Sequence, residues 1–386
     1  MAPFGLHTSL LLESAIVCGL CWLTVRRLLP PGGGLLLALV KVLVPLVYFA
    51  FFFDATWTHS DDWAYLNHAR ELLADGYGPI AVLLNSTGLE RLRAVAGSWH
   101  ILYDWWNIVV ISLFGPYYFA PVLFNVWLTF VAGAAWFGVA RLSGFSLAYS
   151  RGLLVFFLLQ WDILAWSSFV NLKDVAVLAA LSVWVYLWLR LRLRPTLWNL
   201  CLLAGLSCLL YWLRRPTLFL LLGAALCQSV LLLRRPILLL GLMGAAFWAY
   251  REYFGVLEQM ELEGALFGSV HFFVTPRPWA LSPSYGYLVL PATLHWLFLP
   301  PSLAALPDLW RRCAPAMILC LSLLVLTAIA VGSADFLWGP RHRLQVVGVF
   351  AWLQFHALWL FTNWAARTWK ARGAPAASVA LRQAGY

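Results

Sequence analysis

The stretch GLLLALVKVLVPLVYFAFFF at positions 34–53 decides the fold class of this chain. It carries one charged residue, Lys41, and about 20 apolar residues are what an α-helix needs to cross a bilayer. Similar stretches recur along the 386-residue chain, in which hydrophobic residues make up 63% and charged residues only 11%. Soluble domains of this size carry about a quarter charged residues. The sequence therefore predicts an all-α polytopic membrane protein.

The apolar stretches predict about eleven transmembrane helices, at 9–25, 34–53, 117–140, 152–170, 175–191, 197–213, 217–233, 237–250, 287–306, 314–333 and 344–364. The stretch 99–116 places Asp104 and Asn107 among aromatic residues, which indicates an interfacial or re-entrant segment. We expect a single transmembrane domain over 1–386, with outer loops at 54–116 and 251–286 and a cytoplasmic tail at 365–386. The sequence shows no boundary to a soluble domain.

The basic residues are distributed unequally between the two sets of loops. One set, together with the tail, holds 15 of the 26 Lys and Arg residues and a single acid, Asp308. The opposite set holds 10 basic residues and 13 of the 16 acids. By the positive-inside rule the first set is cytoplasmic, so the N-terminus is predicted outside and the C-terminus inside. The net charge of +10 then indicates a bias toward the anionic membrane surface and no nucleic-acid partner.

Two adjacent carboxylates, Asp61 and Asp62, follow the 34–53 stretch at the predicted outer boundary. Each repels negative charge on the other, so an arginine, a metal ion or a cationic transition state is expected nearby. The residues that follow, 63–75, have a helical apolar pattern that predicts an amphipathic helix lying along the interface. The acids would begin this helix, where its dipole stabilises negative charge. The alternative is a solvated loop with two surface acids.

Three further polar clusters fall at predicted outer boundaries, namely Lys173 with Asp174, Arg214 with Arg215, and Arg341, His342 with Arg343. The first cluster is either a weak exposed ion pair in a hairpin turn or a second acidic contact. The two arginine clusters suit phosphate, because guanidinium groups bind phosphate through paired hydrogen bonds. Their alternative is contact with lipid headgroups along the membrane surface.

The order of these motifs on one face resembles the GT-C superfamily of membrane glycosyltransferases, which use polyprenyl-phosphate sugars. Asp61-Asp62 is similar to the acidic motif in the first large outer loop of that group, and Lys173-Asp174 to its second acidic motif. The sequence Arg341-His342-Arg343-Leu344 is similar to the Arg-Tyr-Arg-Leu element of bacterial members. The likeness extends over 54–364. The chain departs from the group in two predicted spans before the acidic loop, in lacking an evident periplasmic domain, and in His342 where Tyr is usual.

The resemblance implies an inverting hexosyl- or pentosyltransferase in a bacterial inner membrane, with its active site on the periplasmic, outer face. The catalytic base would be Asp61 or Asp62. The donor phosphate would be bound by Arg214, Arg215, Arg341, His342 and Arg343. No cofactor is required by the sequence, and a divalent cation, Mg or Mn, would suit Asp61, Asp62 and Asp174.

The implied partners are a polyprenyl-phosphate-linked sugar donor, membrane lipids, and an acceptor hydroxyl on a glycan, a lipid or a protein. Two other functions stay open from the sequence. A polymerase or ligase of lipid-linked glycans would share the outer phosphate-binding arginines. A lipid or solute transporter would place broken helices and polar residues near the middle of the membrane.

Overall fold

The computed structural model describes residues 3–98, 100–233, 244, 262–333 and 340–373. In these ranges the chain is helical and contains no β-strand. The helices are α1 (Thr8–Val25), α2 (Pro31–Val47), α3 (Ser60–Ala74), α4 (Pro79–Leu84), α5 (Ser86–Ala96), α6 (Ile101–Phe114), α7 (Phe119–Leu142), α8 (Leu147–Leu159), α9 (Trp161–Phe169), α10 (Asp174–Leu193), α11 (Leu197–Leu232), α12 (Leu262–Val274), α13 (Val289–Gly332) and α14 (Val347–Gly373). A π-helical turn, Tyr48–Phe52, extends α2, and 3₁₀ turns occupy Ala55–Trp57, Pro283–Leu288 and Pro340–Val346.

Seven helical segments of the described chain are long and apolar enough to cross a membrane, namely Thr8–Val25, Pro31–Phe52, Phe119–Leu142, Asp174–Leu193, Leu197–Leu232, Pro283–Gly332 and Pro340–Trp369. The bent pair of α8 and α9 makes an eighth candidate. The all-α, multi-pass prediction agrees with these helices. The count of eleven stays a prediction, and the predicted span at 237–250 lies outside the described residues.

Helix α11 contains two of the predicted spans and changes direction between them. The backbone is extended at Arg214 (φ −165°, ψ 93°), two residues before Pro216. Arg214 bonds to Asp174 at the first residue of α10, whereas Gln228 accepts a hydrogen bond from Trp188, near the other end of α10. Since α11 begins only a few residues after α10 ends, the chain runs back along α10, turns at Arg214 and returns. The sequence break predicted at this arginine pair is therefore the tip of a helical hairpin.

Helix α13 also contains two predicted spans, and its break lies at the opposite end of the bundle. The helical geometry is interrupted at Cys313 (φ −145°, ψ 47°). Close to this break, Asp308 lies 2.9 Å from Nε2 of His356, and the carbonyl of Pro315 accepts from Gln228 at 2.5 Å. The second contact places the Cys313 break beside the end of α11 that is far from Arg214.

The span predicted at 152–170 is not one straight helix, because α8 and α9 meet at a 45° bend. Gln160, between them, has an extended ψ of 130°, and its side-chain oxygen accepts from the N–H of Ile163 at 2.9 Å. A side chain that caps the second helix lets the first helix end inside an apolar segment. The bend brings Asp162 to Arg343, whose Nη2 lies 2.9 Å from its carboxylate, with both side chains 4% exposed. A buried acid inside a predicted span needs a partner, and for Asp162 that partner is Arg343.

The described contacts define two ends of the bundle. The outer end is the one that carries Asp61, Asp174, Arg214 and Arg341, and the inner end is the one that carries Asp308, Arg312 and His356. Loops that the charge pattern assigns to one side meet at the same end: Arg151 donates to the carbonyl of Leu28 at 2.9 Å, for example. That the inner end faces the cytoplasm stays a prediction.

Helices α3 to α6 cover part of the outer end. The helix predicted at 63–75 is α3, which buries Leu66, Ala69 and Leu72. Nδ1 of His68 lies 2.8 Å from Oδ1 of Asp104 and thereby joins α3 to α6. Helix α6 lies within the predicted 99–116 segment, and its 14 residues are fewer than a full span requires.

A pair of introduced cysteines tests the two ends. Ser86 is exposed at the first residue of α5 at the outer end, and Pro195 is exposed between α10 and α11 at the inner end. In a chain whose seven native cysteines are replaced, we expect a membrane-impermeant maleimide to label Ser86→Cys in intact cells and Pro195→Cys only after permeabilisation. Equal labelling of both positions in intact cells would contradict the assignment.

Candidate functional site

Asp61 is the exposed member of the acidic pair. It lies in the first turn of α3, and its Oδ2 accepts a hydrogen bond from Nη1 of Arg341 at 2.6 Å. Arg341 lies on the turn before α14, so the contact joins the start of α3 to the last predicted span. The Asp61 side chain remains 39% exposed. The compensating cation expected near the acids is therefore an arginine, and Asp61 stays accessible to a ligand.

Asp62 has a different environment, because it is fully buried. Its Oδ2 accepts from the backbone N–H of His59 at 2.9 Å and from the hydroxyl of Tyr118 at 2.8 Å. The first bond closes the beginning of α3, as in a capping box. Burial raises the pKa of the Asp62 carboxyl to about 7 from its ordinary value of 3.8. Through these contacts Asp62 stabilises the first turn of α3, which also carries Asp61.

Asp174 and Arg214 form a second ion pair at the outer end. Nη1 of Arg214 lies 2.6 Å from Oδ1 of Asp174, which is 1% exposed. Nη2 of the same guanidinium lies 2.7 Å from Nδ1 of His342. Since arginine can only donate, Nδ1 of His342 accepts, and the imidazole carries its proton on Nε2. The second acidic motif and two of the arginine clusters thus meet around one guanidinium.

Lys173 adds a third positive group to this region. Its Nζ lies 5.7 Å from the ring centroid of Tyr65 on α3. Burial, together with the positive charge of Arg214, lowers the pKa of Lys173 to about 8. Burial and the charges of Lys173 and Arg214 also lower the pKa of His100 to about 4. At neutral pH Lys173 is still mainly protonated, and His100 is neutral.

Three cationic side chains meet two carboxylates in this part of the outer end. The cations are Arg214, Arg341 and Lys173, and the carboxylates are Asp61 and Asp174, each of which pairs with an arginine. We call these five residues the outer charge cluster. Like charges are costly to hold together at low dielectric, so an excess positive charge favours an anionic ligand.

Two residues of the predicted phosphate set make other contacts. Arg343 is turned into the bundle, where it pairs with Asp162 and donates to the carbonyl of Thr275. The guanidinium carbon of Arg215 lies 4.6 Å from the ring centroid of Tyr211. The adjacent positions diverge because neighbouring side chains in a helix or turn point in different directions. A sequence motif cannot tell which of two adjacent arginines faces a ligand.

A buried polar network positions the Lys173 turn, and the sequence motifs did not identify it. Nδ2 of Asn171 donates to the carbonyl of Asp62 at 3.2 Å and to Oδ1 of Asn107 at 2.9 Å. The hydroxyl of Tyr103 donates to Oδ1 of Asn171 at 2.7 Å. The available signal was the pair of polar residues in the apolar 99–116 segment. Such buried amides join helices by fully satisfied hydrogen bonds and fix their register.

Aromatic side chains flank the acids on the side of the Pro283–Leu288 turn. Nε2 of His59 lies 3.2 Å from the hydroxyl of Tyr287, and the His59 ring centroid lies 4.8 Å from that of Tyr285. Trp57 stacks on Tyr48 with centroids 5.6 Å apart. His59, Tyr285 and Trp57 are each partly exposed and provide flat faces at the outer end.

A divalent cation at Asp61, Asp62 and Asp174 stays a prediction. Across the described ranges, no group of three or more His, Cys, Asp or Glu side chains is arranged to hold a metal ion. Each of the three carboxylates instead contacts a protein donor, namely Arg341, Tyr118 or Arg214.

No protein-family model, curated protein or solved structure matches the chain. Function is therefore inferred from the residues and geometry of the outer charge cluster.

The buried state of Asp62 predicts a pH-dependent stability. A carboxyl whose pKa is raised in the folded protein binds more protons when folded, so its contribution is complete below about pH 4 and is lost as the pH rises to about 7. We expect Asp62→Asn to melt at a higher temperature than the parent protein at pH 8 and at no higher temperature at pH 4, measured in nanodiscs. A melting difference that does not change with pH would contradict this.

Proposed function

We propose that the chain is an inverting glycosyltransferase that moves a sugar from a polyprenyl-phosphate donor to an acceptor hydroxyl at the outer end of the bundle. The observation that carries the proposal is an exposed carboxylate, Asp61, held beside an excess of positive charge from Arg341, Arg214 and Lys173. This chemistry needs a base for the acceptor and cations for the departing phosphate. Both requirements are met within the outer charge cluster.

In the proposed reaction Asp61 takes the proton of the acceptor hydroxyl as the hydroxyl oxygen attacks the anomeric carbon. The bond between that carbon and the phosphate oxygen breaks on the opposite face, and its electron pair leaves with the lipid phosphate. Inversion follows from this single displacement. General-base assistance of this kind contributes about 10²–10⁴ to a rate.

The departing phosphate gains negative charge as the sugar leaves. Arg341 and Arg214 present guanidinium groups that bind phosphate oxygens through charge-assisted hydrogen bonds. Because these cations are held in place before the reaction, they stabilise that charge without reorganising. Lys173 adds a further charge in the same field. A lipid-linked donor can enter between helices, which explains an active site at a membrane boundary.

The finer fold is also part of the proposal. Counting α11 and α13 as two spans each adds two crossings to the eight candidates, which approaches the predicted eleven. We propose a GT-C-like arrangement, with the acidic helix α3 at the outer face of a bacterial inner membrane. The sugar donor and the glycan, lipid or protein acceptor belong to the same proposal, as does the related polymerase or ligase activity.

A transporter is the second candidate, because one described span is broken inside the membrane. The bend at Gln160 lies beside the buried pair of Asp162 and Arg343. Transporters commonly place a substrate or ion at such a broken helix. This function requires Asp162 and Arg343 for transport and makes Asp61 dispensable. The proposed transferase requires the reverse for its chemical step.

Exchange of Asp61 tests the base. We expect Asp61→Asn to lower kcat for sugar transfer by about 10²–10⁴, because an amide cannot accept the proton. The matched control is Asp75→Asn, just after the last residue of the same helix, since Asp75 is 38% exposed and pairs with Arg91 at 2.9 Å. The control should retain turnover within about twofold. Equal loss in the two variants, or full turnover in Asp61→Asn, would remove Asp61 from the chemistry.

Exchange of Arg341 tests the donor phosphate site. We expect Arg341→Gln to raise KM for the polyprenyl-phosphate sugar about tenfold and to leave KM for the acceptor unchanged, because a charge-assisted hydrogen bond is lost. Arg341→Lys should recover part of the loss. Arg91→Gln, which also removes a surface ion pair, serves as the control. Parallel increases in both KM values would indicate a structural role for Arg341.

A further inference from the structure

A cavity with polar and aromatic walls lies at the inner end of the bundle, far from the outer charge cluster. Its volume is about 180 Å³, which is room for several water molecules. It opens between the turn that joins α7 to α8, the start of α8, the middle of α13 and the middle of α14. Its walls combine aromatic side chains with polar ones, namely Phe145, Tyr149, Trp359, Ser146, Arg312 and His356.

The polar wall of this cavity is held in place by a chain of hydrogen bonds. His356, which is 1% exposed, lies between Oδ2 of Asp308 at 2.9 Å and the hydroxyl of Tyr149 at 3.0 Å. Nε1 of Trp352 donates to the same hydroxyl at 3.1 Å. Nε of Arg312 donates to Oδ2 of Asp308 at 2.7 Å. The chain holds the Arg312 guanidinium at the rim of the cavity, where 56% of the side chain is exposed.

The described charged side chains at the cavity are two arginines, Arg312 and Arg141, and one acid, Asp308. Asp308 is the single acid among the loops and tail that carry 15 of the basic residues, and it already contacts both Arg312 and His356. Arg141 donates to the carbonyl of Phe145 at the cavity wall, at 2.6 Å. A small cavity within such a surface attracts anions. Trp359 beside an arginine is also the combination typical of a membrane–water interface.

We propose that this cavity binds the phosphate of an anionic lipid headgroup at the inner leaflet. Arg312 supplies a planar fork of N–H donors, Ser146 supplies a hydroxyl, and the aromatic walls contact the apolar atoms next to the phosphate. Basic pockets between transmembrane helices on the cytoplasmic side bind lipid headgroups in this way. Free inorganic phosphate shares the same chemistry. The proposal does not depend on the glycosyltransferase function, because the cavity lies at the other end of the bundle.

The test uses the full chain in nanodiscs made of phosphatidylcholine with added phosphatidylglycerol, and the bound lipids are counted by native mass spectrometry. We expect retained phosphatidylglycerol, and an affinity that falls about tenfold in Arg312→Gln, since charged hydrogen bonds are lost. The matched control is Arg311→Gln, which removes the same charge from the exposed neighbouring position. It should change the affinity by less than about twofold.

Two further variants separate a site from general surface charge. Arg312→Lys should retain part of the affinity, and Asp308→Asn should bind phosphatidylglycerol at least as tightly as the parent protein, because it removes the competing carboxylate. Stabilisation by millimolar inorganic phosphate in detergent, with no preference for phosphatidylglycerol over phosphatidylcholine in nanodiscs, would replace the lipid by free phosphate and overturn the proposal. Equal losses in Arg311→Gln and Arg312→Gln would overturn it as a surface-charge effect.

Discussion

The ion pair between Arg214 and Asp174 is the constraint on which the outer end depends. A carboxylate that is 1% exposed needs a cation, and breaking such a buried pair costs about 3–5 kcal/mol. The pair holds the tip of the α11 hairpin against the start of α10. Through the second nitrogen of the same guanidinium it also fixes His342, and hence the turn that carries Arg341. Arg341 in turn reaches Asp61 on α3. Elements that are distant in the chain are therefore joined by charge at one membrane boundary.

Two adjacent aspartates are given different environments by the beginning of one helix. Asp62 is buried and accepts hydrogen bonds from the backbone N–H of His59 and the hydroxyl of Tyr118. Asp61 is exposed and contacts Arg341. This division resolves the repulsion expected between neighbouring carboxylates without placing both in the same site. It also assigns catalysis to the accessible group and positioning to the buried one in the proposed reaction. A buried group with good hydrogen bonds is well suited to hold a helix start, and poorly suited to contact a substrate.

The two ends of the bundle treat charge differently. In the outer charge cluster, Asp61 and Asp174 each pair with an arginine from another element, and Lys173 adds one further positive charge. At the inner end, Asp308 is the single acid of loops and a tail that carry 15 basic residues, and it contacts Arg312 and His356. An arrangement of the first kind is suited to chemistry on a charged substrate, and one of the second kind to holding an anionic membrane surface. The same phosphate chemistry is therefore proposed at both ends for different purposes.

The sequence by itself determined the helical membrane class, the position of most apolar segments and the set of motifs near the outer boundary. These features are predictable because the length of an apolar segment and the charge of a loop each depend only on the residues of that segment or loop. Only the tertiary structure decided that Arg214 pairs with Asp174 and His342, that α8 and α9 meet at a bend, and that Arg343 turns toward Asp162. The sequence motifs likewise did not predict the hydrogen-bond network of Asn171 or the different environments of Asp61 and Asp62. Those features depend on which side chains meet across the bundle, and that depends on packing between segments far apart in the chain.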